Sequence, residues 1–449
     1  MKADVLVAEI GSTTTVVTAF GGINSDPFII GQGEFYTTIK QGDVNIGIEN
    51  AVKNLEKNIN SEISWDMLLA SSSAAGGLKM TVHGLVYDMT VKASKEAALG
   101  AGAVLKYATA GKLRNSQIDK IYEIKPNVIL LSGGVDYGEE EIILYNAEML
   151  SDIELDIPFI YAGNISIKDE IKKIFSEKNK NIIITDNVYP SVDTLNIIPA
   201  RKTIQDVFSG HIIHAPGMEK IYSLVDRKII PTPGAVMLTT EMLSEIYNDV
   251  LTVDIGGATT DVDSVTFGDP EIQRILISPE PVSKRTVEGD MGLYVNASHV
   301  IELIGEEKVS EEFPDYKELI KNISPYPENS RQEEFSVYLA KYCFLNGIKR
   351  HAGMKKHLYG PNGRQEIAQG KDLTAIKYIF GTGGILSRSE YRKEIMEEIK
   401  KEKDLNALIP GKKIEIGYDC NYIFAPIGVL STVNYEAAMK LLRKDIKII

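Results

Sequence analysis

Apolar and polar positions follow two rhythms along this chain, and the change from one to the other predicts its elements. Residues 5–10 form a short apolar run that ends in Glu9-Ile10-Gly11, and residues 14–20 form a β-branched run. Small residues lie between them, so the pair predicts a β-hairpin with a tight turn. Residues 28–38 predict a third strand, 47–60 a helix and 67–71 another strand. The small-residue run 71–77 predicts a loop or a close-packed turn. From residue 88 to about 112, Ala, Leu and Lys recur at helical spacing and predict one long helix.

Three units of one design come next. Apolar strands at 128–131, 159–161 and 182–184 are each followed by a turn and then by helical spacing, at 140–150, 168–175 and near 200–208. Strand–turn–helix repeated in this way predicts a parallel sheet. Residues 232–247 predict a helix opened by Pro233, whose preset φ suits a first turn. An apolar strand at 250–254 enters Gly256-Gly257, and a second strand at 260–267 leaves it. Helices are expected at 293–304 and 333–345, a charged helix at 388–400 and a terminal helix at 429–442. Residues 378–380 predict a strand running into Gly381-Thr382-Gly383-Gly384. The polar segment 311–331 contains Pro314, Pro325 and Pro327 and predicts an exposed loop.

Two of these segments carry the chemistry. Residues 7–16 read Val-Ala-Glu-Ile-Gly-Ser-Thr-Thr-Thr-Val, and residues 253–262 read Val-Asp-Ile-Gly-Gly-Ala-Thr-Thr-Asp-Val. Each is an apolar strand, a carboxylate, Ile, Gly, small residues, Thr-Thr and a β-branched strand. Gly lets such a turn approach a ligand closely. The N–H groups and hydroxyls of Gly11, Ser12, Thr13 and Thr14, and of Gly256, Gly257, Ala258, Thr259 and Thr260, can then donate to phosphate oxygens. Glu9 and Asp254, at the strand ends, can hold water around Mg²⁺, which prefers oxygen ligands and keeps several waters. Either turn alone is read equally well as an ordinary hairpin. Two matched copies predict a clamp on a polyphosphate. The third glycine-rich turn, Gly381, Thr382, Gly383 and Gly384, offers bare backbone to a flat adenine or ribose.

This ordered set resembles the superfamily of acetate and sugar kinases, heat-shock chaperones and actin. The resemblance implies an α/β, two-lobed actin/sugar-kinase-like ATPase fold with ribonuclease H-like lobes and an α/β insertion in the first. It also implies ATP and Mg²⁺ as cofactors, with Asp254 and Glu9 in the catalytic and metal roles. The two turns correspond to the phosphate motifs and 381–384 to the adenosine motif. Pro233-Gly234-Ala235-Val236-Met237 and Pro426-Ile427-Gly428-Val429-Leu430 resemble the two connecting helices. The expected division is 1–75 for the first lobe, 76–231 for the extension, 232–420 for the second lobe and 421–449 for a segment returning to the first. One departure is Glu9, where the family usually has Asp.

Four further stretches resemble a narrower family, the MutL-type accessory proteins of glutamate mutase (methylaspartate mutase), which are unrelated to the mismatch-repair protein of the same name. They are 70–80 (Ala-Ser-Ser-Ser-Ala-Ala-Gly-Gly-Leu-Lys-Met), Val82-His83-Gly84-Leu85, 129–136 (Ile-Leu-Leu-Ser-Gly-Gly-Val-Asp) and 285–292 (Arg-Thr-Val-Glu-Gly-Asp-Met-Gly). The resemblance implies a slow, Mg²⁺-dependent ATPase that reactivates an adenosylcobalamin-dependent mutase by driving out damaged cobalamin. The mutase would be its protein partner. A small-molecule kinase of the same fold, with Asp254 or Asp136 recruited as base, and a non-hydrolysing nucleotide-binding scaffold stand as alternatives.

Composition narrows these classes. The 449 residues suffice for two to four domains. A net charge of −13 with no basic stripe excludes nucleic acid as an expected partner. No run approaches the ~20 apolar residues that span a bilayer, and acidic residues interrupt the N-terminus too early for a signal peptide. Two distant cysteines, Cys343 and Cys420, form neither a disulfide framework nor a zinc motif, which fits a reducing cytoplasm. The chain can also oligomerise. His83 lacks the Asp-x-His-x-x-Gly pattern of a cobalamin ligand and is read as structural. His211 and His214 lack partners at metal-site spacing. Glu288 and Asp290 are candidates to approach ribose or Mg²⁺, although Asp290 also suits a helix cap. The turns at Gly133, Gly163 and Asp186 are read as packing or partner contact, and the charged run 388–403 as a solvated face.

Overall fold

The computed structural model describes residues 1–74, 78–212, 217–221, 224–360 and 363–449. Three of the small residues in the run 71–77, together with His214, lie outside the described residues. The chain opens with β1 (Lys2–Ile10), β2 (Thr14–Gly21) and β3 (Phe28–Tyr36), an antiparallel meander whose first two strands are almost wholly buried. Helix Asn45–Ile59 returns the chain to β4 (Ser64–Ser72), which lies parallel to β1.

A separate, wholly parallel sheet follows. It contains β5 (Lys79–Gly84), β6 (Val104–Ala110), β7 (Val128–Leu131), β8 (Phe159–Tyr161) and β9 (Ile182–Ile184), in the order β6-β5-β7-β8-β9. The last three are the strands that the repeated units predict. β6 replaces the second half of the long helix expected over 88–112. A π-turn at Tyr87–Val91 leads into helix Lys92–Gly100, which stops there. Gly102 has φ +88, and a Cβ on it would lie 2.6 Å from Pro231 Cβ. The chain must turn under Pro231, and only Gly fits that conformation and that space.

β10 (Ile230–Pro231) completes the first sheet beside β4, in the order β10-β4-β1-β2-β3. Helix Thr232–Tyr247 then crosses to the second lobe, where β11 (Val250–Ile255), β12 (Thr260–Val265) and β13 (Ser283–Glu288) repeat the antiparallel meander. A hairpin of β14 (Met354–Gly360) and β15 (Gly363–Gln369) stands apart. β16 (Tyr378–Thr382) and β17 (Glu415–Asp419) add in parallel, and β18 (Ile446–Ile448) forms the edge, giving β13-β12-β11-β16-β17-β18. Numbered within each lobe, both sheets therefore begin 3-2-1-4-5, three antiparallel strands and then two parallel ones, and the second adds β18 as a sixth, antiparallel strand. The hairpins also match in register: Ile10 faces Thr15, and Ile255 faces Thr260. This is the duplicated ribonuclease H-like, two-lobed fold that the motifs imply.

Several elements differ from expectation. The first half of segment 311–331 is helical, with helices Glu306–Glu312 and Tyr316–Lys321, and residues 322–329 form the expected loop. Phe313, Tyr316 and Leu319 bury themselves in the second-lobe core, which the polar average of the segment hides. The charged stretch 388–400 is broken into helices Gly384–Arg388 and Arg392–Met396 and a 3₁₀ turn. The terminal helix is two helices, Phe424–Ser431 and Tyr435–Asp445, and the helix expected from 293 begins at Ala297.

One apolar cluster lies between the two sheets. It joins Val5, Val7 and Leu69 to Val250 and Phe380 through helices Thr232–Tyr247 and Phe424–Ser431. These two helices cross at Gly428, where a Cβ would stand 1.9 Å from the Ala235 carbonyl oxygen. Among the described residues, no helix is long and apolar enough to cross a membrane.

Candidate nucleotide and metal site between the lobes

Each sheet ends its first hairpin in the same turn. The Gly11 N–H donates to the Thr14 carbonyl at 2.9 Å, and the Gly256 N–H donates to the Thr259 carbonyl at 2.9 Å. Other carbonyls of these turns are tied back into the lobes. Gly11 O accepts from the Thr37 hydroxyl at 2.8 Å and Thr13 O from the Thr37 amide at 2.9 Å. Gly256 O accepts from Leu293 N–H, Gly257 O from Tyr294 and Val295 N–H, and Ala258 O from the Asn296 side chain. A trans peptide is planar, so a carbonyl held on one side sends the N–H of the same unit to the other. The amides of Ser12, Thr14, Gly257, Ala258 and Thr259 thus point away from their anchors, and these five residues line the interlobe cavity.

The turns face each other closely. A Cβ on Gly257 would meet Thr13 Oγ1 at 3.4 Å. The third turn closes on the second: Gly383 has φ +87, and a Cβ there would lie 2.6 Å from Asp254 Oδ1. The cavity between them is about 350 Å³, within the usual size of small-molecule sites.

Its floor is acidic. Burial pushes the Glu9 carboxyl up to about 7, against the pull of the Tyr422 hydroxyl and the Arg388 charge. Burial, with repulsion from Asp261 and Glu9, pushes Asp254 up to about 8, and Arg285 opposes this. Among the described residues, no three His, Cys, Asp or Glu side chains converge as a metal cage. Mg²⁺ needs no such cage: one or two carboxylates, waters and ligand phosphates suffice. Two carboxylates, Glu9 buried and Asp254 half-buried, whose charge is unfavourable without a counter-ion fit that cation.

Of the residues singled out by sequence, Glu9, Gly11, Ser12, Thr13, Thr14, Asp254, Gly256, Gly257, Ala258, Thr259, Gly383 and Gly384 line one cavity. Thr260, Gly381 and Thr382 do not. The Thr260 hydroxyl donates to Met291 O at 2.9 Å, and that of Thr382 donates to Asp419 at 2.8 Å. Gly381 faces Met396 and Leu386. Glu288 and Asp290 are both paired with Arg350, at 2.8 and 2.7 Å. Asp136 lies in the parallel-sheet unit, bonded to Ile165 N–H and Asn187. His83 is buried between Thr109 and Thr81, and burial holds its pKa down at about 3. Ser132 bonds Ser94 at 2.7 Å, so its turn is packed into the unit.

Sequence reasoning missed the residues that bridge the cleft mouth. Glu34 on β3 pairs with Arg388 at 2.6 Å, and Arg388 stacks 5.2 Å over the Tyr422 ring. The Tyr422 hydroxyl donates to Glu9 at 3.2 Å. Tyr36 and Tyr326 meet edge-on at 6.2 Å. No local motif marks these side chains; distant segments bring them together.

Two ribonuclease H-like lobes with matched turns across a shared cleft define a member of the actin and sugar-kinase superfamily. Within it, the chain belongs to the MutL protein family, whose family model matches residues 5–446. It is 33% identical over 456 residues to Protein MutL of Clostridium tetanomorphum, covering 98% of each chain. Among solved structures, it overlaps a glycerol dehydratase reactivase (10% identity, 95% of this chain and 99% of that one, TM-score 0.37). It also overlaps xylulose kinase from Bifidobacterium adolescentis (10% identity, 99% and 96%, TM-score 0.30). Likeness at this level adds nothing to the strand order.

Proposed function

We propose that this chain is a nucleotide-switched accessory factor of an adenosylcobalamin-dependent mutase, with glutamate mutase as the client. It would use Mg·ATP to drive out damaged cobalamin so that intact cofactor can enter. The observation that carries the nucleotide part is the pair of matched turns, with Gly257 against Thr13 and the Gly383 turn against Asp254. Family membership supports the client.

The residues divide the work by type. Outward-facing amides of the two turns hold phosphate oxygens. Asp254 and Glu9 would hold Mg²⁺ through water, and the cation would neutralise phosphate charge. Gly383 and Gly384 give backbone room for the nucleoside. A nucleotide can open the mutase only if its ATP and ADP states bind that partner with different affinity. Lobe closure following the γ-phosphate would supply the difference. In this arrangement the sheet β10-β4-β1-β2-β3 would form one jaw and the sheet β13-β12-β11-β16-β17-β18 the other. The parallel-sheet unit would meet the client.

The test is cobalamin exchange: inactivated glutamate mutase, this chain, ATP, Mg²⁺ and fresh adenosylcobalamin. Recovery of mutase activity that depends on ATP is expected. Absence of ATP hydrolysis and of recovery, with the mutase present, would sink the reading. Phosphorylation of an added sugar or carboxylic acid would replace it with the kinase reading.

A further inference from the structure

Helix Lys92–Gly100 of the parallel-sheet unit is tied to the second lobe along one face. Lys92, Glu96 and Leu99 are spaced i, i+4 and i+7, so they share that face. Lys92 pairs with Glu280 at 2.7 Å and also donates to Ser278 Oγ and Pro279 O. Glu96 pairs with Lys371 at 2.9 Å. The Leu99 carbonyl accepts from Arg285 Nη1 at 2.6 Å.

Arg285 is among the largest fully buried side chains of the molecule. Its second arm, Nη2, donates to Asp261 Oδ1 at 2.5 Å. Asp261 is a residue of the cleft: it lines the cavity, and its other oxygen accepts from Thr259 of the second turn. Asp263 lies two residues along β12 on the same face, directly opposite Arg285 in the sheet register. Its Oδ1 is 3.6 Å from Arg285 Nε, beyond hydrogen-bond range, and both of these buried atoms have no hydrogen-bond partner. One guanidinium therefore stands between two buried carboxylates and is bonded to one of them. Buried polar atoms left without a hydrogen-bond partner are costly, and a movement of about 0.7 Å would bring Nε into range of Asp263.

We propose that Arg285 is a positioning residue with two stations, and that it couples the cleft to the parallel-sheet unit. With no nucleotide bound, it sits on Asp261 and holds the Leu99 carbonyl. When Mg·ATP occupies the cleft, Asp261 turns to the bound charge, Arg285 shifts onto Asp263, and the Leu99 contact is lost. The helix end then loosens where it matters. Beyond Leu99, Gly102 lies against Pro231 and Gly234, the start of the connecting helix whose Thr232 and Pro233 line the cleft. The inference rests on the nucleotide reading above and names the internal link that reading lacks.

The test is amide hydrogen exchange on the full chain, with and without Mg·ATP, followed in peptides spanning residues 92–104, alongside calorimetric binding. In the unsubstituted chain, Mg·ATP should speed exchange there by roughly tenfold, the scale of one charge-assisted hydrogen bond. Asp263→Asn keeps the shape but replaces the carboxylate with a neutral amide, a weaker acceptor for the guanidinium, so Mg·ATP should still bind but the exchange response should shrink severalfold. Arg285→Lys cannot reach Asp261 and Leu99 together, so exchange should be fast from the start and unresponsive. This variant decides the matter if Asp263→Asn does not fold. A wild-type response in Asp263→Asn, or tight binding with no response in the unsubstituted chain, overturns the two-station link alone. No binding of Mg·ATP to the unsubstituted chain overturns the nucleotide reading as well.

Discussion

Replacing Asp254 by Asn should change how the protein responds to pH, and the size of the change follows from the site. The Asp254 carboxyl is pushed up to about 8, chiefly by burial and then by Asp261 and Glu9. An unfolded Asp titrates near 3.9. Between these values the folded chain keeps a proton that the unfolded chain has shed, so stability falls as pH rises toward and through about 8. From pH 6 to pH 8 the loss from this one group is about 2 kcal/mol. Spread over 449 residues, with an unfolding entropy of roughly 2.1 cal/mol/K per residue, that is a fall of about 2–3 °C in Tm. Asp263, Asp419 and Asp445 are also raised and contribute their own slopes, so the quantity to measure is a difference. Thermal melts of both chains at pH 6, 7 and 8, without Mg²⁺, should show the wild-type Tm falling more steeply than that of Asp254→Asn. The cation reverses the advantage of the proton. If Mg·ATP binding requires ionised Asp254, apparent affinity in the wild type should rise by up to roughly fiftyfold from pH 6 to pH 8. Equal pH slopes in the two chains, with Mg·ATP affinity independent of pH, would show that Asp254 is already charged and would refute the account of the acidic floor.

Other substitutions probe separate parts of the same design. Gly383→Ala adds left-handed strain and a Cβ 2.4 Å from the Ile255 carbonyl oxygen, so nucleotide affinity by calorimetry should fall at least about tenfold. Gly428→Ala places a Cβ 1.9 Å from the Ala235 carbonyl oxygen, and urea unfolding should show a loss of about 3 kcal/mol as the connecting helices are forced apart. Tyr422→Phe removes the hydroxyl that lowers the Glu9 pKa, so Glu9 should titrate above about 7 and Mg·ATP binding at pH 7 should weaken by roughly threefold to fivefold.

The amino-acid sequence by itself determined the two hairpins and their turns. A carboxylate, Ile, Gly and a Thr pair between apolar strands are local features, and local sterics alone require a tight turn there. It also determined the β7, β8 and β9 units, because each is a self-contained strand, turn and helix. The end of helix Lys92–Gly100 is marked locally by Gly102, at φ +88, but its packing against Pro231, far along the chain, is not. Polar content concealed the buried Phe313, Tyr316 and Leu319 of segment 311–331. Within the site, Thr260 and Thr382 belong to the right motifs, yet their hydroxyls are taken by Met291 and Asp419. Which face of a strand meets the ligand depends on what packs against the other face. Glu34, Arg388 and Tyr422 gather at the cleft from three distant segments, and Arg285 reaches Asp261 and Leu99 only because β13 pairs with β12 beneath the helix. Burial, which raises Asp254 and Glu9 and leaves Asp263 without a hydrogen bond, is a property of the assembled lobes; only the tertiary structure decided it.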